Sequence, residues 1–294
     1  MPHVSVVIPA HNRAHTLERA LRSVLSQEHV DLEVVVGDDA SRDDTTTLLT
    51  RHAEADPRVH WVTHATRRGA QAARNSAIRA ARGRYVAFLD SDDEWLPGSL
   101  LARLNRAEET GRPVVHAPVL REQAGGRTLM PVPPLESDTY RLLLEGPGPM
   151  LQAMLVEREL LFQVGLLDES VISFQEWDTA IRLARHAPFA FVSEPAAVWH
   201  VGGKDTISRD LARAAAGYEQ VVRLHEAEIR RHASALAMSR HWRTAARMYA
   251  DAGRRSDALR CWRRCVTALP WSTETLEVVS RRVRRRLGLD AAGR

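Results

Sequence analysis

The sequence predicts an α/β protein: a mostly parallel sheet flanked by helices, followed by an α-helical C-terminal region. Three observations predict it. Short apolar runs alternate with stretches of helical period through the first hundred residues. Seven of the fourteen prolines lie between Pro113 and Pro149, where that regularity stops. From about Leu211 onward the apolar spacing is helical.

Val4-Ser5-Val6-Val7-Ile8 reads as a buried strand, and Leu17, Leu21, Val24 and Leu25 then recur at helical spacing. Leu32-Glu33-Val34-Val35-Val36 is a second strand. A helix from roughly Asp44 to Ala55 follows, with Ser41 and Asp44 spaced as a capping box. Val59-His60-Trp61-Val62 is a third strand, and a third helix, Ala70 to Ala81, is ended by Gly83. Tyr85-Val86-Ala87-Phe88-Leu89 is the fourth strand. In open sheets of this kind ligands bind beyond the carboxyl ends of the strands. Polar residues follow three of those ends: His11-Asn12, Asp38-Asp39, and Asp90-Ser91-Asp92-Asp93.

The last cluster carries the most chemistry. Strand side chains alternate faces, so Asp90 and Asp92 point the same way. Crowded carboxylates raise one another's pKa, and a divalent cation with a taste for oxygen, Mg²⁺ or Mn²⁺, removes the conflict. A solvated acidic turn capping the next helix is the competing reading on spacing alone.

The proline-rich stretch breaks helix rules, so it reads as extended and loop-rich. Val114-Val115-His116-Ala117 and Leu142-Leu143-Leu144 give it apolar anchors, which suits a lid or an acceptor-side wall. Helical pattern returns near Met150, and Phe174-Gln175-Glu176-Trp177-Asp178 opens a helix that continues through Ile181, Leu183 and Ala184. In the C-terminal region Trp242, Tyr249, Ala258, Trp262 and Pro270 match one copy of the tetratricopeptide spacing, with Ala245 and Ala246 at two small-residue positions. One repeat cannot bury its own face, so it must pack on the body or on another chain.

Composition narrows the class. At 294 residues, 44% hydrophobic and 27% charged, the chain is that of an ordinary globular protein. No apolar run approaches the ~20 residues of a membrane span, and the N-terminus lacks the pattern of a secretory signal. Cys261 and Cys265, four apart in one helical stretch, read as buried thiols of a reducing cytoplasm. The net charge of +4 hides an asymmetry: residues 206–294 hold 19 arginines against nine acids. Arg281 to Arg286 places five arginines in six positions, a pattern suited to peripheral contact with an anionic membrane. Because Lys204 is the only lysine, a compositional bias toward arginine explains the run equally well. No motif for reading nucleic acid accompanies it, and no nucleic-acid partner is expected.

The first hundred residues closely resemble glycosyltransferase family 2, the inverting enzymes with the GT-A fold. The resemblance is carried by Val4-Ser5-Val6-Val7-Ile8-Pro9-Ala10-His11-Asn12, Val36-Gly37-Asp38-Asp39-Ala40-Ser41, Arg68-Gly69-Ala70-Gln71-Ala72-Ala73-Arg74-Asn75 and Phe88-Leu89-Asp90-Ser91-Asp92-Asp93. It implies a nucleotide-sugar-binding half over residues 1–112, an acceptor-binding half over 113–207 and a helical region over 208–294. It further implies that Pro9, Ala10 and Asn12 border the nucleotide and that Asp39 accepts a hydrogen bond from the base N–H. A carboxylate is acceptor-only, so it selects the imide edge of uracil or thymine. Asp38 reads better as a turn or cap residue, and Asn75 as helix packing. The resemblance places Arg74 at the base or diphosphate and assigns Asp90, Ser91, Asp92 and Asp93 to the sugar nucleotide and metal. Of these, Asp92 and Asp93 are the metal candidates and Asp90 and Ser91 the nucleotide-sugar contacts. His200, in Trp199-His200-Val201-Gly202-Gly203, is a further candidate ligand or pyrophosphate contact. The loop Gly202 to Thr206 lacks P-loop spacing and reads as a flexible closure over the donor.

The second half resembles the family more loosely. Phe174 to Arg182 looks like its acidic motif, but Gln175 replaces the first acid and Glu176 stands where Asp is usual. Glu176 is the candidate general base, and Asp178, one turn from Arg182, is structural. The expected activity is metal-dependent, inverting transfer from a UDP- or dTDP-sugar to an acceptor hydroxyl on a glycan, a lipid-linked sugar or a natural product. Such chemistry serves polysaccharide or glycoconjugate synthesis in bacteria. The expected location is cytoplasmic, or peripheral to the inner face of the membrane. The C-terminal helices are a candidate oligomer or protein contact. The rival is a catalytically silent nucleotide-sugar-binding or scaffold protein on the same fold, to which the Gln175 departure points.

Overall fold

Apolar runs with no exposed face become the middle of a sheet. In the computed structural model, which describes residues 2–201 and 210–268, β1 (Val4–Ala10) and β2 (Leu32–Asp38) are buried along their whole length. They pair in parallel, Val6 opposite Val34 and Ala10 opposite Asp38. Each side chain of Val, Leu or Ile removed from water there contributes roughly 1.5–3 kcal/mol. The helix α1 (Ala14–Leu25) lays Leu17, Ala20, Leu21 and Val24 on the core; Leu17, Leu21 and Val24 are read from the sequence, while Leu25 is only partly buried and Ala20 completes the face.

The chain continues through α2 (Thr45–Ala55), β3 (Val59–Thr63), α3 (Ala70–Ala80), β4 (Tyr85–Phe88), β5 (Glu94–Trp95) and α4 (Ser99–Thr110). Then come β6 (Val114–His116), β7 (Val119–Gln123), β8 (Gly126–Met130), α5 (Thr139–Glu145), β9 (Met154–Glu157), α6 (Arg158–Gln163), α7 (Gln175–Ala184), β10 (Phe189–Phe191) and β11 (Ala197–His200). Seven strands form one sheet in the order β10-β6-β9-β4-β1-β2-β3, and β5-β11-β7-β8 form a second. The large sheet is parallel except for β9, which runs antiparallel between β4 and β6. These elements belong to one compact unit, Met1–Arg209.

Several sequence expectations are corrected by local physics. The capping box at α2 does not form: Asp44 occupies the N-cap without a side-chain bond, while Asp43 accepts from the Thr45 N–H at 3.1 Å. The Ser41 hydroxyl accepts instead from the Asn12 N–H at 2.9 Å. Gly83 does not stop α3; the helix ends at Ala80, and Ala81 is already extended. Gly83 is needed further on, because a Cβ there would lie 2.6 Å from the Ser5 nitrogen. The helical pattern expected near Met150 is a single 3-10 turn, Leu151–Ala153, leading into β9, whose Met154, Leu155 and Val156 are fully buried. A short apolar run of this length carries no periodicity that separates strand from helix. The proline-rich stretch is less loop-like than expected: it holds β6, the hairpin β7–β8 and α5.

A second unit, Asp210–Arg294, is helical where described: α8 (Leu211–Leu224), α9 (Glu226–His232), α10 (Ala237–Asp251) and α11 (Arg255–Thr267). Trp242 and Tyr249 are buried, and Trp242 lies between the guanidinium groups of Arg264 and Arg223, 4.7 and 5.5 Å from its ring. Cys261 and Cys265 are free, buried thiols. Glu219 is a buried hub, accepting from Arg223 at 2.6 Å, from the Tyr249 hydroxyl at 2.8 Å and from Arg260. Pro270, the loop Gly202 to Thr206 and the run Arg281 to Arg286 lie outside the described residues. Among the described residues no helix is long and apolar enough to cross a membrane.

Candidate functional site

The carboxyl ends of β1, β2 and β4 open onto one cleft of about 510 Å³. Its lining includes Pro9, Ala10, Asn12, Asp39, Arg74, Asp90, Ser91, Asp92 and Asp93, so nine of the residues singled out in the sequence converge there. His11, Arg13, Arg67, Gly69 and Trp199 line it as well.

The backbone at the β2 end is built to present Asp39. Gly37 allows α3 to approach, since a Cβ there would lie 2.3 Å from the Ala73 carbonyl oxygen. The Asp39 N–H donates to the Ala10 carbonyl at 2.8 Å, locking the ends of β1 and β2 together. Its carboxylate accepts from the Arg68 and Gly69 N–H groups, both at 2.7 Å, and from His64 Nδ1 at 2.9 Å. Gly69 provides its N–H from φ +99°, a conformation that side chains oppose. Burial alone would raise the Asp39 pKa, but the Arg68 N–H, the His64 imidazole and the Gly69 N–H hold it below the ordinary value. An ionised acceptor therefore faces the cleft, and Oδ2, with one protein donor, retains room for another. Asp38 turns away into the loop and accepts from the Ser41 N–H at 3.3 Å. Asn12, at φ 53°, braces the same loop by accepting from the Arg42 N–H at 2.8 Å.

The opposite end of the cleft is the acidic turn. β4 stops at Phe88, so the strand alternation expected to align Asp90 with Asp92 does not reach them. A tight turn brings them together instead, closed by the Asp93 N–H on the Asp90 carbonyl at 3.1 Å. Arg74 reaches from α3 to donate to Asp90 and to Gln71. Arg19 donates to the Asp92 carbonyl, and Arg13 stands 3.9 Å from the Asp92 carboxylate. The Asp92 pKa is raised by burial and then by the charge of Asp90, with Arg13 opposing. Asp92, under-compensated in the cleft beside Asp90, fits Mg²⁺ or Mn²⁺, which bind through one or two carboxylates and take their remaining ligands from phosphates and water. The protein does not cage the ion by itself: among the described residues no group of three or more His, Cys, Asp or Glu is placed to hold one.

Asp93 and His200, the other two ligand candidates, both have partners within the fold. Asp93 is 1% exposed, and both its oxygens take donors from within the fold: the His200 N–H at 2.9 Å and Gln152 Nε2 at 3.0 Å. Burial, then Asp90 and Asp92, push its pKa well above the ordinary value. Asp93 thus brackets the turn to β11 and to the 3-10 turn before β9. The His200 imidazole faces the second sheet, with Nδ1 2.6 Å from Glu122 and Nε2 3.5 Å from Glu94. Alternation along β11 sends Trp199, not His200, into the cleft. Sequence reasoning missed Trp199, Gln152, Arg13 and the His64 contact; only Trp199 carried a signal, an aromatic next to a residue already suspected.

Glu176 lies in the first turn of α7, a helix pinned by the fully buried Trp177, whose indole N–H donates to the Leu143 carbonyl at 2.7 Å. Asp178 pairs with Arg182 at 2.8 Å. Glu176 is half-buried, and its pKa is raised first by burial and then by Asp90, with Arg74 opposing. It therefore feels the same charges as the acidic end of the cleft, although it does not form part of the cleft wall.

Comparison with known proteins gives this arrangement a context. The model of the family described as Glycosyl transferase family 2 matches residues 5–154, half of the chain. The succinoglycan biosynthesis protein ExoO of Rhizobium meliloti is 46% identical over 111 residues, 38% of this chain and 31% of that protein. A Campylobacter jejuni protein named GalNAc(5)-diNAcBac-PP-undecaprenol beta-1,3-glucosyltransferase is 36% identical over 110 residues, 37% of this chain and 36% of its own length. The match thus spans about a third of the length of these curated relatives. Among solved structures, S. aureus TarS 1-349 in complex with UDP-GlcNAc superposes with a TM-score of 0.64 at 15% identity, covering 92% of this chain and 93% of that one. The mannosyltransferase PcManGT from Pyrobaculum calidifontis, in complex with GDP-Man and Mn²⁺, gives 0.58 at 21% identity over 97% and 81%. At these identities the structural likeness is one of fold.

Proposed function

The chain belongs to glycosyltransferase family 2, and from that premise we propose that it transfers a sugar from a UDP- or dTDP-sugar to an acceptor hydroxyl, with inversion and with a divalent cation. The observation that carries the reading is the polarity of the cleft. An ionised, donor-clamped Asp39 stands at one end, and Asp90, Asp92 and Arg74 cluster at the other, within electrostatic reach of Glu176.

Asp39 accepts the imide N–H of the base. Pro9 and Ala10 form the floor beneath the nucleoside, and Arg74 turns its guanidinium toward the diphosphate. Asp92, with Asp90 beside it, would hold Mg²⁺ or Mn²⁺, which neutralises charge developing on the leaving nucleoside diphosphate. The acceptor oxygen attacks the anomeric carbon in line as the bond to the diphosphate oxygen breaks, and Glu176 takes the acceptor proton. A raised pKa strengthens it as a base when it is ionised. One displacement inverts the anomeric centre and forms no covalent enzyme intermediate. The undecaprenol-linked substrate in the name of the Campylobacter relative supports a lipid-linked acceptor here. That would bring the enzyme to the membrane surface.

Calorimetry with Mn²⁺ and UDP, dTDP, CDP or GDP tests the reading. UDP or dTDP should bind more tightly than CDP, and Asp39→Ala should narrow that gap. Tighter binding of CDP or GDP to the wild type would refute the assignment of the base.

A further inference from the structure

One wall of the cleft has no part in the chemistry above. Among the described residues Trp199 is the one Trp, Tyr or Phe that lines it. It sits on β11 next to His200, whose N–H is fixed on Asp93 at 2.9 Å, so the indole is anchored at the acidic end of the cleft, away from Asp39. The indole is also held from behind. Arg121, its cross-strand partner on β7, places its guanidinium 5.4 Å from the ring centroid and does not itself line the cleft. A cation over one face of an indole holds it flat, and the ring so held lines the cleft. The remaining apolar lining is small: Pro9, Ala10, Gly69, Ala70 and Ala73.

We propose that Trp199 is the platform for the pyranose ring that occupies the acidic end of the cleft. This inference rests on the proposed sugar transfer. One face of a hexopyranose carries a patch of axial C–H groups, while its hydroxyls point outward around the rim. The C–H patch suits the electron-rich face of an aromatic ring, and the rim hydroxyls suit carboxylates such as Asp90 and Asp92. A nucleobase would stack equally well on an indole, but Asp39, the acceptor suited to a base edge, stands at the other end. Trp199 therefore reads a sugar ring rather than the base, and its bracket is the buried Gln152–Asp93–His200 chain. The ring on the platform belongs to the donor or to the acceptor, and the two are separable by experiment.

The test is calorimetry on the full chain with Mn²⁺, comparing UDP with UDP-glucose, UDP-galactose and UDP-N-acetylglucosamine, for wild type, Trp199→Ala and Trp199→Phe. A donor platform predicts that Trp199→Ala weakens the tightest-binding UDP-sugar by about five- to tenfold, the scale of one aromatic stacking contact. UDP affinity should stay unchanged, and Phe should restore most of the loss. An acceptor platform predicts unchanged donor binding. Instead, the KM for octyl β-glucopyranoside or octyl N-acetyl-β-glucosaminide should rise with kcat preserved, again rescued by Phe. If neither donor affinity nor glycoside KM responds, or if UDP alone weakens as much as its sugars, the platform is refuted. Failure of wild type to bind UDP, dTDP or any UDP- or dTDP-sugar would refute the proposed function as well, and that outcome is distinct from the others.

Discussion

At the residue scale, the cleft sorts its carboxylates by what surrounds them. Asp39 has donors enough to stay ionised below its ordinary range. Asp92 has too few, and burial with Asp90 raises it. A carboxylate whose folded pKa lies above its unfolded one is stabilising when protonated, and that contribution is lost as pH rises through the folded pKa. Burial and the charge of Asp90 make the ionised form of Asp92 costly to the fold, and Asp92→Asn should raise the melting temperature of the metal-free protein. The same variant should lose the further increase that Mn²⁺ with UDP gives the wild type. An Asn variant that melts lower, yet still responds to Mn²⁺, would contradict both the strain and the assignment. Glu176 makes a kinetic counterpart. As a base it works only when ionised, so kcat should fall as pH drops through a pKa above the ordinary 4.5. Glu176→Gln should lower kcat about 10²-fold or more, keep donor affinity and abolish that acid limb. An acid limb that survives the substitution would assign the proton to another group.

At the element scale, legibility follows periodicity. β1, β2 and α1 were readable because their apolar residues fill whole faces, and their ends carry the motifs that line the cleft. β9 was not readable, since four residues are too few to show a period. The roles of Asp93 and His200 were not readable either, because the competing donors, Gln152 and the second sheet, come from 59 and 107 residues away. In the C-terminal unit, repeat spacing placed Trp242 and Tyr249 but gave no sign of Glu219. That residue ties α8 to α10 and α11 through Tyr249 and Arg260. Burial raises its pKa, but Arg260, Arg223 and the Tyr249 hydroxyl pull it down to about 2. A depressed carboxylate stabilises the fold above its unfolded pKa, and that contribution is lost as pH falls from about 4.5 toward 2. Glu219→Gln should lower the melting temperature at pH 7, and its difference from wild type should shrink across that window. A difference that stays constant with pH would show that packing, not charge, is the source.

At the scale of the whole molecule, the cleft and the helices belong to separate units. Among the described residues, every one that lines the cleft lies within Met1–Arg209. Asp39, Arg74 and Asp90 are fixed by main-chain N–H groups and side chains of that same unit. The Asp93 bracket likewise closes on Gln152 and His200, both before residue 209. If the site is complete in this sense, nucleotide recognition does not need the helices. A fragment ending at Arg209 should then bind UDP with Mn²⁺ within about threefold of the full chain, less than the tenfold that 1.4 kcal/mol represents. Transfer to a lipid-linked acceptor is a separate property, and the basic run Arg281 to Arg286 is absent from such a fragment. The fragment should therefore keep the affinity for UDP and lose co-sedimentation with anionic vesicles, if that run provides the membrane contact. A folded fragment, judged by circular dichroism, that no longer binds UDP would show that the cleft borrows a residue from the helical unit. One that still pelleted with anionic vesicles as the full chain does would move the membrane contact onto the sheet-bearing unit.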